Sequence, residues 1–214
     1  MRPAYFDIAP SVDADGIAQA QAVAGAGNLT LNGALIASGK WSASGRFGQK
    51  VSITSTGNDS GRTFTVTGIT PEGRNDTETI TGPNTTTTTG SKYFREVTSI
   101  AVDAACAGNI SAGLLGAGAT PAFVPNYKME NFKASIGVTV SGTINCTVQH
   151  TFSEVFDRDT TSNDWTWFSN DDASLVGLTG NVDGNYAYPP RACRLIVNSV
   201  TAPGSANLCV IVPA

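Results

Sequence analysis

The stretch from residue 51 to 81, VSITSTGNDSGRTFTVTGITPEGRNDTETIT, leaves this chain few architectures to choose from. Short runs rich in Val, Ile, Thr and Phe are broken by GNDSG and PEGRND. β-Branched and aromatic side chains suit a pleated, half-buried surface and lose rotamer freedom in a helix. Gly, Asn, Asp and Pro supply the backbone angles that let a chain reverse. The stretch therefore predicts short antiparallel strands joined by tight turns. Phe64, Val66 and, one slip later, Ile69 mark its buried face, with Gly68 as a candidate bulge. Its acids are expected mostly to face water.

The same grammar recurs along the chain. Asn32-Gly33 lies between two apolar runs and predicts a hairpin, because both positions tolerate positive φ. YFREVTSIA (93–101) and ISAGLL (110–115) predict strands paired across DAACAGN. GPNTTTTTG (82–90) reads as an exposed, β-capable tip. GAGATPAFVPNYKMEN (116–131) has no alternation and marks a boundary. Beyond it, FKASIGVTVSG and INCTVQHTF alternate on either side of an SGT turn. ACRLIVNSV and ANLCVIV predict a last hairpin around TAPGS.

The expected fold is all-β: two small antiparallel β-sandwich domains, jelly-roll or Ig-like, at residues 26–117 and 132–214, joined by a linker at 118–131. EVTSIAVDAACAGNISAGL and CRLIVNSVTAPGSANLCVI share a strand–turn–strand arrangement, so the halves read as one unit used twice. Residues 1–25 form an extended N-terminal arm. Within it, IAQAQAVAGAG has helix-favouring Ala and Gln but too many Gly for a stable helix. An arm lying on a neighbouring subunit has Tyr5, Phe6, Ile8 and Val12 as its protein-interface anchors.

Charge bears on partners. Only 14% of residues are charged, well under the usual share, so Thr, Ser and Asn must face the water. Such a surface has few of the charges that discourage edge-to-edge association, which points to permanent assembly. A formal net charge of −4 argues against nucleic acid as a partner. No apolar window is long enough for a membrane-spanning helix. MRPAYFDIAPSVDADG lacks the basic and apolar regions of a signal peptide, so synthesis in the cytoplasm is expected.

Chemistry finds little purchase. The single histidine, His150, shares the parity of Cys146 and Val148 and reads as a satisfied core or edge residue. Cys146 and His150 are four apart on a strand, about 13 Å, too far for a thiol–base pair. There is no G-x-S-x-G elbow, H-E-x-x-H helix or P-loop, so no catalytic residue and no cofactor is expected. Cys106, Cys146, Cys193 and Cys209 include no Cys-x-x-Cys and are expected as buried free thiols, with no metal. Asp157, Asp159, Asp164, Asp171 and Asp172 do not follow the EF-hand ligand order and read as solvated turns. Six N-x-[ST] sequons, beginning at Asn28, Asn58, Asn75, Asn84, Asn109 and Asn145, follow from an Asn- and Thr-rich composition. Trp41, Trp165, Trp167, Tyr186 and Tyr188 either pack the core or, where exposed, supply stacking platforms for sugars.

KVSITSTGNDSGRTFTVTG, ETITGPN and SKYFREVTSIAVDAACAGNISAG in the first half resemble the patterns of small structural proteins of tailed bacteriophages. So do SIGVTVSGTINCTVQHTF, TWFSNDD and DGNYAYPPRACRLIVNSV in the second. The resemblance covers nearly the whole chain after residue 25. It implies a non-enzymatic virion protein, foremost a capsid decoration (cement) protein on the capsid exterior. Its partner would be the major capsid protein, with self-association as a dimer or trimer. A neck or tail component is the alternative, and a carbohydrate-binding module on a tail or secreted protein a third reading. The four cysteines and the GPNTTTTTG tip depart from the pattern. The resemblance brings no catalytic residue, and nucleic acid and membrane are not expected as partners.

Overall fold

A computed structural model describes residues 3–128, 130 and 132–212. The strands form two antiparallel sheets, neither closed into a barrel, so the chain is all-β and sandwich-like. It divides into two compact units. The N-terminal unit holds Ser11–Ser44 and Gly48–Leu115; the C-terminal unit holds the residues up to Pro10, Gly45–Phe47 and those from Gly116 onward. The expected arm is thus divided, its start grouping with the C-terminal unit and its remainder with the N-terminal one.

β1 (Ala4–Ile8) belongs to the C-terminal unit. The N-terminal unit begins with β2 (Val12–Gln21), followed by β3 (Gly27–Asn28), β4 (Ile36–Ala37), β5 (Lys40–Ser42) and β6 (Gly48–Ser55). Then come β7 (Thr63–Ile69), β8 (Asn75–Thr81), β9 (Thr87–Thr89), β10 (Glu96–Val102) and β11 (Ile110–Ala119). One sheet runs β4-β5-β10-β7-β8, with β3 also on β10. In the other, β2 pairs with β11 and β6 with β9. Trp41, Phe64, Val66 and Ile100 from the first sheet share one core with Ile17, Ile53, Ile110 and Leu114 from the second. Each fully buried side chain of this size contributes roughly 1.5–3 kcal/mol by leaving water.

The alternation in β7 is as expected at Phe64 and Val66, which are buried between half-buried or exposed threonines. At its end it is not: Ile69 is only half-buried, and the pattern runs unbroken through a buried Gly68. The register slips on the partner instead, between Val97 and Ser99 of β10. Glycine is required at 68 because a β-carbon there would lie 2.1 Å from the Glu96 carbonyl oxygen.

Two other expectations change in this unit, and two take definite form. β10 and β11 do not pair with each other; they lie in different sheets. Asn32-Gly33 makes no hairpin, because Gly33 N donates to Ile17 O while the Asn32 side chain accepts from Gln19 N, pinning the segment to β2. The IAQAQ segment is strand, its pairing with β11 overriding the helix propensity of Ala and Gln. Thr87–Thr89 of the threonine tip form β9, mostly exposed and extended as expected, paired with Ser52, Ile53 and Thr54 of β6.

Nor do the acids of residues 51–81 all face water. Asp59 is only 1% exposed. It accepts from Ser55 Oγ at 2.5 Å, Ala107 N at 2.6 Å and Gly108 N at 3.2 Å, fastening the GNDSG turn to the loop before β11. Glu78 is buried as well and accepts from Ser91 Oγ and Lys92 N. A buried carboxyl group needs donors in place of its water; both Asp59 oxygens have them, and Glu78 has them at Oε1 alone.

The C-terminal unit is built on one long strand pair. β12 (Ala134–Thr151) and β15 (Ala192–Ile211) run antiparallel from Ser135 opposite Ile211 to Thr151 opposite Ala192. At about 3.3 Å per residue, β12 has a contour of roughly 60 Å. Neither SGT nor TAPGS closes a hairpin, the correction to the two expected ones. The two turn-forming sequences fall opposite one another, and each becomes an irregularity in a continuous strand, with a register shift between Ser141 and Thr143.

Shorter strands border this pair. β1 lies on β15, with Ala4 opposite Val210 and Ile8 opposite Ala206. β13 (Trp167–Ser169) lies on one end of β12, and β14 (Val182–Tyr186) on the other. Gly118 and Ala119 of β11 pair with Val197 and Ile196 of β15. Ile8, Ile136, Val138, Val148, Leu175, Leu195 and Leu208 are buried in this unit.

Candidate functional site

Among the residues of an expected interface, Ile8 is in the core and Phe6 is half-buried with its ring 5.9 Å from Phe123. Tyr5 is 64% exposed, and Val12 is exposed at the start of β2. The four therefore do not present one face. What the N-terminus does present is an edge. β1 pairs with β15 on one side, and among the described residues no strand pairs with its other side. Its alternation sends Tyr5 and Asp7 to the exposed face, where the Asn207 side-chain amide donates to Asp7 Oδ1 at 2.7 Å.

A second surface gathers around His150. This residue lies near the end of β12, opposite Phe168 of β13 and opposite Cys193 of β15. Phe152 follows two residues later, just past the strand, and Tyr188 comes just after β14. The His150 ring lies 5.3 Å from Phe152, 5.5 Å from Tyr186, and 5.9 Å from both Phe168 and Tyr188. Phe152 and Tyr188 lie 6.2 Å apart with planes inclined by 29°. His150 and Tyr186 are buried, whereas Phe152, Phe168 and Tyr188 are 50%, 48% and 38% exposed. Three outer rings thus cover two inner ones at the meeting of three strand ends.

Burial lowers the His150 pKa, with the nearby Asp171 carboxylate opposing it. Burial pushes the Cys193 thiol up to about 12. A nucleophilic cysteine needs an accessible thiolate and a base that can accept its proton. Cys193, opposite His150 in the ladder, is buried in the core. The Tyr188 hydroxyl donates to Asp171 Oδ2, and this hydrogen bond, then burial, raises its pKa. Burial lifts Tyr186 well above the ordinary phenol range, with a smaller contribution from Cys193.

His150 is buried as expected, yet it is not satisfied: its Nδ1 has no hydrogen-bond partner. Beside it, the buried Tyr186 hydroxyl and the Asn170 amide nitrogen have only each other within reach.

Of the expected sugar platforms, Trp41 and Tyr186 are buried and unavailable. Trp165 and Trp167 are half-buried against each other, 5.9 Å between centroids. Their ring nitrogens donate to Thr160 Oγ1 and the Ser162 carbonyl, and the Arg194 guanidinium lies 3.9 Å from the Trp167 centroid. Only Tyr188 remains open. Sequence alone does not single out Phe152 and Phe168; the one available signal is period two, which carries Phe152 onto the face of His150.

Among the described residues, no group of three or more His, Cys, Asp or Glu side chains could hold a metal ion. All four cysteines are free. Among those residues, too, no helix is long and apolar enough to cross a membrane. The chain matches no protein-family model and no curated protein.

Proposed function

We propose that this chain is a non-enzymatic structural protein of a bacteriophage virion, a decoration protein that binds the major capsid protein on the capsid exterior. The observation that carries the reading is the open edge of β1. Edge strands are ordinarily blunted by lysine, an internal proline or a bulge. AYFDI has none of these, and its one charge, Asp7, is held by Asn207. An added strand gains main-chain hydrogen bonds along such an edge and takes its specificity from alternate side chains. Tyr5 is the exposed aromatic placed to supply that specificity. The same edge suits self-association as a dimer or trimer. The virion setting rests on the resemblance of the strand and turn patterns.

Tyr5→Asp tests the reading, because Tyr5 is exposed and the substitution leaves the core untouched. Binding to phage heads that lack this protein should weaken by more than about tenfold, with the unfolding midpoint unchanged. Full binding by the variant counts against the β1 edge as the contact.

A further inference from the structure

The ring cluster around His150 has a polar side that packing does not explain. Among the described residues, the buried side-chain atoms without a hydrogen-bond partner are Ser52 Oγ, Glu78 Oε2, His150 Nδ1, Asn170 Nδ2 and Tyr186 Oη. Three of these five belong to this one cluster: Tyr186 and Asn170 lie close enough to pair with each other, and His150 Nδ1 has no partner at all. Buried polar groups are nearly always satisfied, so their convergence in one place is informative. An apolar partner seated on Phe152, Phe168 and Tyr188 would cover the rings and leave the His150 nitrogen unsatisfied.

A sugar matches both halves of the arrangement. The C–H face of a pyranose stacks on an aromatic ring, while its hydroxyls both donate and accept hydrogen bonds. An imidazole nitrogen, an amide N–H and a phenol between them offer both complementary roles. The charged group acting on His150, Tyr186 and Tyr188 alike is the Asp171 carboxylate, which disfavours an anionic ligand. We propose that Phe152, Phe168 and Tyr188, with His150, Asn170 and Tyr186 behind them, bind a neutral oligosaccharide. Entry to the inner groups requires Phe168 or Tyr188 to change rotamer, a movement open to exposed side chains. This site shares no residue with the β1 edge.

The experiment uses the full chain on an array of neutral gluco-, galacto-, manno- and N-acetylhexosamine oligomers, with sialylated and sulfated glycans as controls. Wild-type protein should be retained on at least one neutral series, and Tyr188→Ala should weaken retention at least tenfold at an unchanged unfolding midpoint. His150→Phe keeps the site aromatic and removes the orphaned nitrogen, so it should lose sugar binding too. If either variant unfolds, Phe168→Ala, at an exposed ring, takes its place. Absence of retention on every neutral glycan overturns the proposal, as does retention only on charged glycans or retention indifferent to these substitutions. Tyr5→Asp should retain glycan binding in full, which separates failure of this site from failure of the capsid contact.

Discussion

The rings of His150 and Phe168 stack 5.9 Å apart with their planes only 26° from parallel, although one is buried and the other about half exposed. The pair connects the β12–β15 core to the surface without an intervening layer. A change in charge on the inner ring is therefore felt directly by the outer one.

That position makes stability sensitive to mild acid. Burial holds the folded His150 pKa below its ordinary value of 6.5. As pH falls, the unfolded chain takes up the proton first, so the stability present above the unfolded pKa diminishes as pH drops below it, levelling off beneath the folded pKa. Denaturant unfolding should show a lower midpoint at pH 5.5 than at pH 7.5, and His150→Gln should flatten part of that slope. A wild-type midpoint unchanged between the two pH values contradicts this assignment.

Asp59 also costs stability as pH falls, but because its ionised form is held in the fold. Burial alone would raise its pKa, but hydrogen bonds from Ser55, Ala107 and Gly108 and the charge of Arg62 outweigh it and hold the carboxyl below its ordinary value. Its contribution is present above the ordinary carboxylate pKa and is lost as pH falls through the lower folded value. Asp59→Ala removes three accepted hydrogen bonds and should destabilise the N-terminal unit by about 2–4 kcal/mol, measured by chemical denaturation. A loss under about 0.5 kcal/mol, the range of an ordinary surface substitution, means the turn does not rely on it.

Gly142 faces Pro203 across the irregular ladder. Its φ is +77°, and a β-carbon would lie 2.4 Å from the Pro203 carbonyl oxygen. Gly142→Ala should cost about 1–3 kcal/mol, whereas Gly180→Ala, with nothing within 4 Å of the added carbon, should be nearly neutral. Equal thermal midpoints for the two variants contradict a strained position at 142.

The cysteines should separate by reactivity. Cys146 and Cys193 are buried, and burial pushes both thiols up to about 12. Cys106 and Cys209 are half-buried. In the native protein, alkylation followed by peptide mass spectrometry should find Cys106 and Cys209 modified well before the other two. Early modification of Cys193 contradicts its place in the core.

The β character was legible because alternation is local. Phe64 and Val66 announce a buried face within a few residues, and both are in the core. Breaks were legible as well, but what a break does was not. SGT and TAPGS hold the right residues for reversal, yet they face each other across β12 and β15 and bend one ladder instead. Asn32-Gly33 is used in contact with β2, not in a hairpin. A turn sequence specifies permitted angles; the strand opposite decides whether they make a reversal or a bulge. The His150 cluster was illegible for a related reason. It draws on β12, β13 and the end of β14, and no periodicity reports which strand ends meet. The expectation that acids of residues 51–81 face water failed at Asp59 because its donors at 107 and 108 lie far along the chain.

A side-chain-resolution map of the intact particle, with copies counted by quantitative mass spectrometry, tests the proposed place on the virion. The account predicts hundreds of copies on the outer face of the head, each with β1 against the major capsid protein or a second copy and Tyr5 buried in that contact. A handful of copies at the neck or tail contradicts decoration, and absence from the particle contradicts the virion assignment altogether.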